Sequence, residues 1–323
     1  MAKYALLIGV SNYREGYQPL LTPLNDIKAL KQVLDNPEKG GFDEVNILHD
    51  PDPSEMEEEI SMLFGGRQND DICLLYISCH GIKYRGEFYF GTRNTRNNQQ
   101  GELLTSTALP ARCVHSIMRN SSWKKHVVIL DCCYSGEFAG GLVSKDDGSL
   151  SVRQQLEEKG RVILTSSASI QPSFERQGLP LSIYTYYLVE GIETGSADLD
   201  EDGVISIKNL HDYTAKKVQK DFPKMQPEIY SVQPELLEIP IAKAPIRNPK
   251  LRYRKEVDRL CKSGSISPVV RIQLDDLRDK LGLLREDTEA IENEVLAPIR
   301  EYKKKLQLFE DYLREVVNRV LSE

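Results

Sequence analysis

No CxxC pair occurs among the six cysteines of this 323-residue chain, which removes the zinc-ribbon and thioredoxin-like readings. Adjacent Cys132 and Cys133 are poorly placed to ligate one zinc together with a second pair. There is no apolar run of the ~18 residues a membrane helix needs, so no membrane partner is expected. The opening Met1-Ala2-Lys3 leads straight into Tyr4 to Val10, too short and too strand-like for a signal peptide. An excess of basic charge is also missing. A net charge of −7 and a pI of about 5.5 count against general nucleic-acid binding. No Gly-rich loop follows the first strand, which weakens a nucleotide-binding reading of the fold. The absences describe a cytoplasmic protein with reduced thiols.

What is present is ordinary in bulk, with 40% hydrophobic and 28% charged residues, and specific in order. Short apolar runs alternate with helical patterns. Strands are expected at Tyr4–Val10, Glu44–Leu48, Ile72–His80, Glu87–Gly91, Val127–Cys133 and Val162–Ser167, with a Pro-bounded edge strand at Pro234–Pro240. Helices fit Leu24–Leu34, Ser54–Phe64 with Ser54 as N-cap, Thr105–Arg119, Leu181–Glu193 and Ile207–Lys220. Such alternation specifies an α/β fold with a mostly parallel sheet covered on both faces. Strand patterns stop after Ala242, and Pro245-Ile246-Arg247-Asn248-Pro249 reads as a linker. Beyond it lies a small all-α domain: Leu251–Cys261, a helix opened by Ser267-Pro268, then Glu286–Leu296, and Ile299–Leu321 after a break or kink at Pro298. The expected domains are 1–243 and 244–323.

Two strands end in chemistry. Ile72-Cys73-Leu74-Leu75-Tyr76-Ile77-Ser78-Cys79-His80-Gly81 carries a histidine at its tip, and Val127-Val128-Ile129-Leu130-Asp131-Cys132-Cys133-Tyr134-Ser135-Gly136 carries thiols. Carboxyl ends of parallel strands are where such sheets place their sites. If the two strands are parallel neighbours, Cys133 and His80 face each other as a thiol nucleophile and its base require. The expectation is a cysteine peptidase.

The chain resembles the bacterial caspase-like peptidases, in the clan of caspases, metacaspases and cyanobacterial orthocaspases. The resemblance rests on Leu6-Leu7-Ile8-Gly9-Val10, Asn25-Asp26, Tyr76 to Gly81, Asp131 to Gly136 and Ile163-Leu164-Thr165-Ser166-Ser167, and it spans residues 4 to about 243. The histidine precedes the cysteine by 53 residues, close to the spacing known for caspases. The resemblance implies a caspase-like sheet, Cys133 as nucleophile and His80 as acid/base. It also implies an oxyanion hole from the amides of Gly81 and Cys133. Of the two cysteines the motif selects the second, and strand alternation supports this only weakly. Cys79 departs from the family's usual glycine and adds a thiol near the site.

By the same resemblance, Asp26, Ser78 and Asp131 line a primary pocket that selects Arg or Lys, because a partly desolvated carboxylate pairs best with a cation. The positions at which metacaspases hold calcium carry Thr95, Ala111, Arg112 and Gly140 here, so no cofactor is expected. Asp198, Asp200, Asp202 and Gly203 match the first half of an EF-hand-like loop, with Asn209 in place of the closing glutamate; they are a weak metal candidate beside the plain reading of a structural turn. Lys145 and Arg153, in the polar segment after Cys133, are autocleavage candidates; Lys145 stands beside Asp146-Asp147-Gly148. The helical tail resembles modules appended to effector domains in bacterial, especially cyanobacterial, multi-gene systems. It implies a partner protein and a role in stress, cell-death or defence signalling. Two classes therefore stand: an endopeptidase acting on protein substrates with basic sites, and a scaffold that keeps the fold and assembles partners.

Overall fold

The apolar runs around Leu6, Leu75, Val128 and Ile163 become strands because each buries side chains on both of its faces. The computed structural model describes residues 1–14, 16–68, 70–121, 125–134, 159–166, 180–245 and 248–321, with backbone alone for 133, 134 and 310–321. It divides into a unit of residues 1–200 with 204–244 and a unit of residues 201–203 with 245–323. In the first unit β1 (Lys3–Gly9), β2 (Glu44–His49), β3 (Ile72–Tyr84), β6 (His126–Tyr134) and β7 (Arg161–Thr165) are parallel, in the order β2-β1-β3-β6-β7. β9 (Glu228–Ser231) adds an antiparallel edge to β7. β4 (Glu87–Gly91) folds back onto the end of β3, and β5 (Ala108–Pro110) onto β4.

Alternation along the strands feeds two cores. Leu74, Tyr76, Val127 and Ile129 face α1 (Pro23–Asp35), α4 (Ile183–Glu193) and α5 (Ile207–Asp221). Cys73, Leu75, Ile77, Val128 and Leu130 face α2 (Pro53–Phe64) and α3 (Ala111–Asn120). This is the doubly covered, mostly parallel sheet expected from the alternation. A separate antiparallel pair joins β8 (Val204–Ser206) to β10 (Pro240–Lys243).

Four local expectations are corrected. The N-cap of α2 is Asp52, not Ser54: its carboxylate accepts from Ser54 N and Glu55 N while the Glu55 carboxylate accepts from Asp52 N, a complete capping box. The helix expected from Thr105 begins only at Ala111, because Ala108-Leu109-Pro110 pairs with β4. Pro234–Glu238 is a 3₁₀ turn rather than a strand, since Pro234 fixes φ and supplies no ladder donor; the edge belongs to Glu228–Ser231. Of the break or kink expected at Pro298, the break does not occur, since one helix runs through it.

The second unit is α6 (Pro249–Leu260), α7 (Pro268–Lys280) and α8 (Arg285–Leu321), the last a single helix through Pro298. One missing N–H is outweighed by the helix-forming Glu, Lys and Leu residues on both sides. Ser267 caps α7 as expected. Tyr253, Val257, Cys261, Leu274 and Leu296 form the core. Glu292 is buried beside it, gripped by both guanidinium nitrogens of Arg271 at 2.8 Å and by Tyr253 Oη at 2.6 Å. Burial alone would raise the Glu292 pKa, but these donors hold it below the usual range.

Candidate active site

β3 and β6 are parallel neighbours, and their register pairs Ser78 with Asp131, Cys79 with Cys132 and His80 with Cys133. The register condition set by the two strand tips is therefore met at the backbone. The Cys133 side chain lies outside the described residues, as do Ser135, Gly136, Lys145 and Arg153.

The two cysteines next to this pair are accounted for elsewhere. Cys79 and Cys132 are buried on the α2/α3 side, with their sulfurs 3.5 Å apart. Cys132 Sγ donates to the Ile77 carbonyl at 3.3 Å. Burial, with Cys79 next to it, pushes the Cys132 thiol well above its ordinary pKa. An un-ionised buried thiol is a poor nucleophile. The Cys79 thiol belongs to the core opposite Ser78 rather than to the cluster around Asp131, and it stays beside His80 as expected, donating to the His80 carbonyl at 3.4 Å.

His80 has a built seat. Its Nε2 lies 2.8 Å from the Gln18 carbonyl oxygen. A carbonyl can only accept, so Nε2 carries the proton and Nδ1 is the basic nitrogen of the neutral ring. Tyr13 packs against the imidazole at a tilt, 4.6 Å between ring centres and 47° between planes, and Tyr17 stands at 6.0 Å. The β1 register ends at Ser78 and the β4 register begins at Gly81, so the His80 N–H falls between the two ladders on that side. The Tyr13 hydroxyl substitutes for a ladder partner: it accepts from His80 N at 2.9 Å and donates to the Val10 carbonyl at 3.1 Å. Burial raises the Tyr13 phenol well above its usual pKa, so it stays protonated. The loop carrying Tyr13 is pinned by Asp50, whose carboxylate accepts from Ser11 N at 2.6 Å and Asn12 N at 3.1 Å. Gly91 completes the seat. A Cβ there would stand 3.0 Å from both the His80 carbonyl and the Tyr13 ring.

The three expected pocket residues also converge. Asp26 is fully buried in the first turn of α1, and its Oδ1 accepts from Ser182 N at 2.9 Å. Gly9 lets that turn approach, since a Cβ there would meet the Pro23 carbonyl at 2.7 Å. Asp131 Oδ2 accepts from the Ser182 hydroxyl and from Thr185 Oγ1 at 3.0 Å. Thr185 spends its one proton on Asp131, so Tyr76 Oη donates to Thr185 across their 2.6 Å contact. Tyr76 also lies within reach of the charges of Asp26 and Asp131 and of the Ser78 hydroxyl. Ser182, the N-cap of α4, thus bridges the two acids. Burial raises the Asp131 carboxyl above its ordinary range, and the hydroxyls of Ser182 and Thr185 oppose it.

Other expected positions lie apart. Thr95 is buried and gives its hydroxyl to the Thr107 carbonyl at 2.8 Å, and Arg112 pairs with Glu87. The carboxylates of Asp198, Asp200 and Asp202 lie within 4.8 Å of one another. Asn209 Nδ2 donates to Asp200 Oδ1 at 2.6 Å, closing the loop with an amide rather than a carboxylate. Tyr13, Gln18, Ser182 and Thr185 were missed by sequence reasoning; the one available signal was Ser182, a serine placed to cap a helix.

The caspase-domain family model matches residues 2–237. No curated protein matches the chain. Solved structures share its fold, among them these two. A Geobacter sulfurreducens protein aligns at a TM-score of 0.53 and 13% identity, over 76% of this chain and 98% of that one. Caspase-1 from Spodoptera frugiperda aligns at 0.50 and 16% identity, over 71% of this chain and 86% of its own.

Proposed function

The chain belongs to the caspase-domain family, whose members are cysteine peptidases, and from that premise we propose that it is an endopeptidase cutting after Arg or Lys with Cys133 and His80. The register that sets His80 level with Cys133 carries the proposal. In the first step Nδ1 of His80 takes the Cys133 proton and the thiolate attacks the substrate carbonyl. The resulting oxyanion lies between the amides of Gly81 and Cys133. The imidazolium returns its proton to the leaving amine, which departs and leaves a thioester. His80 then deprotonates a water that cleaves the thioester and restores the thiol.

Basic specificity is supported by Asp26 and Asp131, two acids bridged at Ser182, with Asp131 two register positions before the reacting pair. Lys145 and Arg153 are the proposed sites of cutting in cis, and the helices after Pro249 are proposed as a protein-interaction module. The scaffold alternative leaned on Cys79, whose thiol packs into the opposite core. A fluorogenic peptide panel tests the function. Arg and Lys substrates should be turned over far faster than Asp substrates, and Cys133→Ala and His80→Ala should each lose at least about 10³-fold in kcat. Equal turnover of Asp, or activity surviving in Cys133→Ala, would sink it.

A further inference from the structure

The C-terminal half of α8 is longer than its own unit requires. Ile299 packs against Gly264 and Arg300 Nε donates to the Gly264 carbonyl at 3.2 Å. Beyond that level the helix continues to Leu321. Tyr302, Leu306 and Phe309 are 68%, 44% and 58% exposed, although all three are large and apolar.

Their spacing is informative. Tyr302, Leu306, Phe309, Leu313, Val316 and Val320 follow one another at intervals of four and three residues, and Ile299 begins the series. A stripe with a period of 3.5 is the seam of a left-handed coiled coil, narrower than the face a helix turns to a globular core. Residues 299–320 make three heptads, about 33 Å of helix. In this frame Ile299, Leu306, Leu313 and Val320 take the a positions and Tyr302, Phe309 and Val316 the d positions.

We propose that this segment pairs in parallel with the same segment of a second copy of the chain. The proposal deepens the reading of the C-terminal helices as an interaction module and names its partner. Charge selects that occupant. Lys305 falls at g and Glu310 at the following e, the two positions that meet across a parallel, in-register pair. Two copies thus supply two opposite-charge contacts and no like-charge one. The next g and e are Tyr312 and Val317, which extend the apolar seam. Lys305 also holds Glu301 at 2.8 Å along its own helix, and its three donors serve both carboxylates. The outer positions carry both signs, as in Lys304, Asp311, Arg314 and Glu315, which does not suit an anionic membrane.

The test is the mass in solution of the full chain carrying Cys133→Ala, so the result is independent of whether the peptidase reading holds. Twice the 36.7 kDa of one chain is expected. Leu306→Asp with Phe309→Asp should give monomer with unchanged helical circular dichroism. Lys305→Glu alone should weaken the dimer about tenfold, and Lys305→Glu with Glu310→Lys should restore it. A monomer at every concentration, a mass of three or more chains, a dimer that survives Leu306→Asp with Phe309→Asp, or Lys305→Glu without effect would each overturn the proposal. So would binding to anionic vesicles in place of dimerisation.

Discussion

One phenol oxygen joins the end of β1 to the middle of β3, accepting from His80 N and donating to the Val10 carbonyl. Tyr13→Phe keeps the ring contact but leaves a buried donor and a buried acceptor unmet, at about 1–3 kcal/mol. Peptide hydrolysis should fall at least tenfold while thermal unfolding stays cooperative; full activity would show that the ring alone seats the imidazole. Asp131→Asn tests the pocket. Removing one partner of a desolvated charge pair costs about 3–5 kcal/mol, so kcat/KM for an Arg substrate should drop roughly 10²–10³-fold, with far less change for an uncharged one. The pH dependence has a definite sign. Burial puts the folded pKa of Asp131 above its ordinary value, so the folded chain takes this proton before the unfolded chain does. The cost of burying the charge is therefore relieved as pH falls through the folded value. The proposed Arg selectivity needs the carboxylate and should fade over that same interval, above the usual carboxylate midpoint. The two strand tips that the register sets side by side were legible because a strand tip is a local pattern. Tyr13 and Ser182 were not, because their roles depend on partners 67 and 156 residues away in sequence.

At the scale of elements, long apolar runs were readable and short edge pieces were not. β3 and β6 announce themselves by consecutive buried side chains on both faces. β5 and β8, three residues each, have too few positions to show a period, and they exist because a neighbour offers a ladder. The cap of α2 was read one turn feature late: Asp52-Pro53-Ser54-Glu55 holds both a serine and an acid, and only the reciprocal bonds decide between them. Asp52→Ala should lower stability by about 1–2 kcal/mol, since the same carboxylate also meets Arg93 at 3.1 Å. Ser54→Ala should change it by only tenths. Chemical denaturation of both variants separates them, and the reverse order would restore Ser54 as the cap. In α8, Pro298 was overvalued as a breaker because propensity is a weak prior against a helix well formed on both sides.

The molecule as a whole should weaken in mild acid for an identifiable reason. His126 opens β6, buried against Phe64, and burial with the nearby Arg161 charge pushes its pKa from 6.5 down to about 3. The folded chain refuses a proton that the unfolded chain accepts, so stability falls as pH drops below 6.5, by about 1.4 kcal/mol per unit, until about 3. Between pH 6.5 and 5 that is about 2 kcal/mol. His126→Gln, which can still donate to Ser121 Oγ, should flatten this slope in urea titrations; an unchanged slope would place the acid sensitivity elsewhere. The seat of His80 also has a consequence for the order in which the chain is made. The partners described for the imidazole, Tyr13, Tyr17, Gln18 and Gly91, all leave the ribosome before Cys133, the last of them by about 40 residues. At the usual ~5–20 residues per second that is an interval of about 2–8 s in which a nascent chain holds His80 with the residues of its seat but not yet Cys133. The register pair comes into being when β6 docks, so under the proposed chemistry newly made chains should be inert toward their neighbours until the centre of the sheet has closed.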